Sequence, residues 1–442
     1  LSLSAGWIAA LALGLSIGLA VTAAALQLSA LFDGGLRPVA AGLLLALAIG
    51  LAAPGKLALW IVGRARRTAA GGDPAGISLR DDRPLQAGVM AAASLLGGLS
   101  AAALPIACGW AAAAQAYMHE RFLWNVPSEV VLQVVLGLLV GLVPIGLLGM
   151  ALVPVQAWSP RACERDPGVA LIGGGVGALL AWLIGARLGR PEAAMLAAAL
   201  PPLVLALGVM WRLPPAAPAE VAVVDRDHSS HLPSHSDRHP RVLRASMVGV
   251  GACAAWALAG WIASAGTEQR LTAVAAGMVL TGVGWCLAGV RAPERERGIA
   301  SFGIRCALAG SIVAVAVLVD GRADPASAWA GSAFFGLGLA MVGFACASGQ
   351  ALALHRVSVR PSMWGRLYAR LVVGGLLAAG VGVPISRAMI GAPATSAAGA
   401  LALLSIGGAL IIHDPHQAPG VRRRRLFWVF GVVGLMLLLA PL

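Results

Sequence analysis

Charge is what this chain has least of. Only 12% of its residues are Asp, Glu, Lys or Arg, against roughly 25% in a soluble domain. The deficit runs along the whole length and excludes a soluble globular protein. Lysine is almost missing, and Lys56 is the single example. The six cysteines (Cys108, Cys163, Cys253, Cys286, Cys306, Cys346) stand apart with no CxxC pair, so neither a zinc site nor a disulfide framework is indicated. No Ser-His-Asp or Cys-His arrangement is visible. The sequence therefore offers no catalytic residues, no metal ligands and no cofactor, and it does not read as an enzyme. All 19 acidic residues fall in loops or at the ends of apolar runs, with Glu129 and Asp320 nearest the membrane. A proton-coupled carrier, or one for cations, would be expected to bury a carboxylate.

What is present is apolar. Hydrophobic residues make up 59% of the 442, and the mean hydropathy is +0.84. A membrane helix needs about 20 apolar residues. Spans are expected near 5–31, 38–63, 85–117, 129–158, 168–187, 193–211, 245–265, 271–290, 298–319, 325–354, 367–390 and 396–412, with a shorter run at 426–442. The long spans 85–117 and 325–354 have room for a tilt or a break, and Pro105 marks one place for it. The chain starts at Leu1, and no basic segment precedes its first apolar run. That run reads as a span rather than a signal peptide, with the start trimmed.

The formal net charge of +13 comes from arginines in short loops, where lipid headgroups are the natural partner and nucleic acid is not. Assigning loops to alternate sides puts 23 basic residues on one side and 6 on the other. The basic side is read as cytoplasmic. It holds the N-terminus, the 212–244 linker and the Arg422–Arg425 run. Excess Ala and Gly, with Arg favoured over Lys, fits a GC-rich bacterial genome, hence a bacterial inner membrane.

Two stretches repeat. Val143–Leu188 and Ala340–Ile390 each read as an apolar helix, a charged turn with a proline, and a Gly-rich helix. Gly149 and Gln156 stand seven apart, as do Gly343 and Gln350. Gly174-Gly175 recurs as Gly374-Gly375. Two such units about two hundred residues apart suggest a duplicated membrane fold.

Several residues are candidates for function. Gln156 and Gln350 hold matching repeat positions toward the ends of their spans, which suits either an inner vestibule or ordinary interhelical hydrogen bonding. Lys56 and Arg305 lie within spans, about seven residues from the basic end. They fit an anion-binding pair, or side chains that snorkel to the interface. Arg387 reads as interfacial. His228, His231, His235 and His239 share helical spacing, but Pro233 interrupts it, so a solvated linker is favoured over a weak metal-sensing loop. Gly173, Gly174, Gly175 and Gly177 lack the last glycine of a nucleotide loop, since Leu180 stands there, and read as helix packing.

Pro361-Ser362-Met363-Trp364-Gly365-Arg366, with Gly374-Gly375 and Gly380-Val381-Gly382-Val383-Pro384, resembles the turn between helices ten and eleven of the major facilitator superfamily. Gly141-Leu142-Val143-Pro144 through Gly189 resembles the membrane half of spermidine-synthase-like bacterial proteins. The superfamily's Gly-x-x-x-Asp-Arg loop is not matched by GRARRTAAGGDPAGISLRDDR at 63–83, and no soluble aminopropyltransferase-type domain is present. The resemblance implies an all-α, polytopic 6+6 pseudo-symmetric helix bundle with one extra C-terminal helix. Its parts would be a six-helix half at 1–211, a cytoplasmic linker at 212–244, a second half at 245–412, and a basic turn with an extra helix at 413–442. Two functions fit. One is a secondary carrier for a small neutral or anionic organic solute. The other is a non-transporting membrane module associated with an aminopropyltransferase-like or other partner enzyme.

The sidedness is testable by cysteine labelling. Cysteines placed at Arg80 and Asp237 should be shielded from an impermeant outside reagent, and those at Arg121 and Thr267 should react. The reverse pattern overturns the topology.

Overall fold

The computed structural model describes residues 3–32, 36–53, 83–121, 126–155, 165–212, 238–264, 267–290, 299–320, 325–355, 361–390 and 392–412, together with 420–421, 423–427 and 431. The described residues form helices: α1 Leu3–Leu31, α2 Leu36–Ala52, α3 Arg83–Ala102, α4 Leu104–Arg121, α5 Val126–Leu142, α6 Pro144–Val155, α7 Asp166–Trp182 and α8 Pro191–Arg212. After the linker come α9 Arg238–Trp261, α10 Thr267–Val290, α11 Ile299–Asp320, α12 Pro325–His355, α13 Pro361–Leu377, α14 Val383–Ile390 and α15 Ala392–Ile412. Nine helical stretches are long and apolar enough to cross a membrane. Two bent pairs and the shorter α2 bring the described spans to the expected twelve. The chain is an all-α polytopic membrane protein. Of the 212–244 linker, 213–237 lie outside the described residues, as do 54–82 and most of the extra C-terminal run.

Prolines set the bends. α3 and α4 meet at 55° beside Pro105, and α5 and α6 meet at 58° at Pro144. A proline ring lacks the N–H and crowds the preceding turn. The first bend lies where Pro105 suggests. The second was not expected in 129–158, while α12, the other long span, runs unbroken for 31 residues. Pro201 and Pro202 sit inside α8 without ending it.

The pairing of helices repeats between the halves. In the first half α1 packs on α7 and α8, α2 on α5 and α6, and α3 on α6 and α8. In the second half α9 packs on α13 and α15, α10 on α12, and α11 on α12 and α15. Each first-half pair has its counterpart six spans later. Both π-helical segments obey the same relation: Leu183–Arg187 follows α7 in the fifth span, and Ala378–Gly382 follows α13 in the eleventh. The first of them closes through Gly189, whose φ of 64° suits a residue without Cβ, as the Arg190 N–H donates back to Ile184 O at 3.2 Å.

Glycine makes these contacts possible. Lipid tails are as apolar as leucine, so helices associate through close packing rather than the hydrophobic effect. A Cβ at Gly14 or Gly18 would run into the backbone of Ala170 or Gly174 on α7. A Cβ at Gly303 would lie 2.7 Å from Gly407 O on α15. The repeat positions do equivalent work: Gly149 faces Leu47 on α2, and Gly343 faces the Thr281 carbonyl on α10. Large apolar side chains such as Leu200, Val204, Leu207 and Trp211 on α8 point outward, which suits lipid.

Gly18→Leu should therefore lower thermal stability in detergent by more than the about 1–3 kcal/mol of ordinary overpacking, because backbone would have to move. Gly208, with open space around it, should accept alanine with no loss. Equal melting shifts for the two would contradict the packing role.

Candidate functional site at the junction of the halves

Broad contacts between the first six and last six spans, among the described residues, are confined to three helix pairs: α7 with α10, α2 with α13, and α6 with α13. The first pair closes through glycines. A Cβ at Gly168 would lie 2.7 Å from Gly282 O, and one at Gly282 would lie 2.5 Å from Gly168 O. Further along, a Cβ at Gly175 would lie 2.6 Å from Ala275 O. In the second pair Gly365 meets the Leu51 carbonyl, and Ala48, Leu51, Val153 and Ala369 form a small buried cluster across α2, α6 and α13. Gly168 and Gly365 stand near the starts of their helices, while Leu51 and Val153 stand near the ends of theirs. These ends adjoin the arginine-rich loops, so the seal lies on the basic side and reaches the middle of α7. Beyond it, α14 leans on α9 and α15. Leu377, Val381, Ile385 and Met389 form an exposed stripe there.

One carboxylate is built into this seal. Asp166, the first residue of α7, is 1% exposed, and neither of its oxygens has a hydrogen-bond donor among the described residues. A Cβ on Gly6 of α1 would stand 3.9 Å from Asp166 Oδ2. The neighbouring Arg165 guanidinium lies over the Trp7 ring, 5.5 Å from its centroid. Cys286 of α10 reaches the Arg165 carbonyl at 3.9 Å. This corrects the sequence reading, which set all the acids in loops or at the ends of apolar runs and took Glu129 and Asp320 as those nearest the membrane. Glu129 instead pairs at the surface with His119 at 3.8 Å. The available signal was an acid directly before Pro167 at a helix start, but a helix N-terminus favours acids at the surface as well.

The opposite end gathers positive charge. Arg37 on the first turn of α2 stands within electrostatic reach of Arg270 on the first turn of α10 and of Arg387 on α14, whose charges both bear on it. Arg270 is fixed by bonds from Nε to Ile262 O at 3.1 Å and from Nη2 to Ala263 O at 3.0 Å, at the negative end of α9. Arg37 and Arg387 are exposed.

Of the four residues singled out from sequence, the structure describes Gln350 and Arg305. Gln156 and Lys56 lie outside the described residues. Gln350 on α12 is fully buried, directly after Gly349, whose missing Cβ would lie 3.0 Å from Met247 and 3.1 Å from Phe302. Arg305 on α11 is half-buried, with its guanidinium 4.4 Å over the Phe344 ring. α11 makes its broad contacts within the second half. No group of three metal-ligating side chains occurs among the described residues.

No family model matches the chain, and no curated protein does. The resemblance to spermidine-synthase-like proteins finds no support among the comparisons. Solved structures do match. The proton:xylose symporter XylE of the major facilitator superfamily is 13% identical over 93% of this chain and 96% of its own, with a TM-score of 0.54. The human organic anion transporter MFSD10 is 16% identical over 91% of this chain and 99% of its own, with a TM-score of 0.47. A bacterial homologue of the iron transporter ferroportin, in an outward-facing state, is 16% identical over 91% and 96% of the two chains, with a TM-score of 0.49. Taken with the repeated pairing of its spans, the likeness to the symporter shows that this chain has the helical fold of the major facilitator superfamily.

Proposed function

We propose that the chain is a secondary carrier for a small organic solute, with anions favoured, acting in a bacterial inner membrane with its N-terminus inside. The observation that carries this reading is the junction. Among the described residues, two halves with the same internal pairing meet broadly from the basic end to the middle of α7, so rocking one half on the other would expose a central path to each side in turn. The fold shared with a symporter supports the reading. The three outer arginines support the preference for anions, since guanidinium forks suit carboxylate and phosphate oxygens, and like charges facing across the divide attract an anion between them. The inner candidates Gln156, Gln350, Lys56 and Arg305 belong to the same proposal as a vestibule on the release side. In this arrangement Gln350 is enclosed.

Uptake into proteoliposomes tests both levels. Small carboxylates and phosphate esters should enter saturably and show counterflow. Arg37→Gln with Arg387→Gln should lower anion uptake about tenfold or more, the equivalent of 1.4 kcal/mol, and leave folding intact because both side chains are exposed. Saturable uptake of neutral solutes alone removes the anion preference, and no saturable uptake of any solute removes the carrier.

The double change of Gln156 and Gln350 to leucine should abolish solute binding in a thermal-shift assay while the protein still folds, since replacing both polar partners is often tolerated. Unchanged binding would take the glutamines out of the path.

A further inference from the structure

We propose that Asp166 is a proton-binding site of the inner seal, occupied while the halves are closed at the basic end and vacated when they part. The inference rests on the carrier reading to the extent that it needs the seal to open. The carboxylate lies where three helices from both halves converge, with α1 supplying Gly6 and Trp7, α7 supplying Asp166 and Gly168, and α10 supplying Gly282, Trp285 and Cys286. It is nearly fully enclosed, and neither oxygen meets a donor among the described residues. An ionised carboxylate in such a setting would have neither water nor a donor from the described residues, so the closed seal holds the neutral acid.

Among the described residues, the ionisable groups nearest it are Arg165 and Cys286. Arg165 extends over the Trp7 ring, and Cys286 turns its thiol to the Arg165 carbonyl. α1 contributes no titratable side chain at this point. The glycines close the seal here: Gly168 and Gly282 bring α7 and α10 into backbone contact two residues along α7 from Asp166. Parting α7 from α10 would admit water from the basic side. The acid would then lose its proton to that water and become the solvated carboxylate. Closing would require a proton to be taken up from the same side.

The sign is set by linkage. The closed form binds one more proton than the parted form, so acidification of the basic side favours closure and alkalinisation favours parting. With a single proton involved, the closed-to-parted ratio changes at most about tenfold per pH unit. The site thus senses pH in the compartment that receives the solute. It does not by itself carry protons across the membrane, because uptake and release face the same water.

Distance measurements between spin labels at Trp211→Cys on α8 and Leu287→Cys on α10 test this without any solute. The full chain, with its native cysteines replaced, would be placed in lipid nanodiscs across a pH series. Both labelled positions are exposed near the basic end, one on each half. The closed population should grow as pH falls, and Asp166→Asn should remain closed at every pH. Asp166→Ser, smaller and equally unable to ionise, replaces it if the asparagine variant does not fold. A pH-independent ratio in the parent chain, or a variant that keeps the parent's response, overturns the proposal. Failure of the carrier reading registers separately, as loss of uptake in the proteoliposomes.

Discussion

Close approach of backbones at glycine is the constraint on which the rest of this molecule depends. A helix in lipid gains nothing by hiding leucine from hydrocarbon, so association relies on dispersion contacts and on how near two backbones can come. Gly14 and Gly18 admit α7 to α1. Gly303 and Gly407 join α11 to α15, and Gly168 and Gly282 join the halves. Each of these places a carbonyl where a methyl group would otherwise stand. The same arrangement accounts for the composition: 57 glycines in 442 residues would weaken soluble helices, but here many of them are contact points.

The contacts within the halves and those between them differ in extent. Inside a half, helices pack along much of their length, and the buried clusters run from α1 through α3, α4 and α8, and from α9 through α11, α12 and α15. Between the halves, the broad contacts stop near the middle of α7 and at the basic ends of α2, α6 and α13. A rigid pair of halves joined at one end has a natural axis of motion. Its chemistry is divided in the same way. The joined end encloses a carboxylate with no hydrogen-bond donor among the described residues, and the other end carries arginines from both halves.

Bends and π segments adjust this frame locally. Pro105 and Pro144 turn the third and fourth spans by more than 50°. The π segments fall in the fifth and eleventh spans, which also supply α7 and α13 to the junction. Each adds a residue to a turn and rotates the stretch of helix beyond it. After the second one, α14 leaves the line of α13 and leans on α9 and α15, away from α2.

The sequence by itself determined the all-α membrane class, the twelve spans and the asymmetry of the arginines, because hydropathy and loop charge are local properties of the chain. It also exposed the repeat, since Gly149 and Gly343 serve equivalent contacts in the two halves. The bend at Pro144 was written in the residue but not in the hydropathy, which stays high across it. Only the tertiary structure decided which helices pair and where the halves join, since those contacts link residues far apart along the chain. It set the Arg305 guanidinium over the Phe344 ring. It brought Arg37, Arg270 and Arg387 together from three separate spans. Asp166 shows the difference most plainly: its neighbours along the chain read as a charged turn, yet it is buried, with its carboxyl facing Gly6 on a helix that the local sequence does not mention.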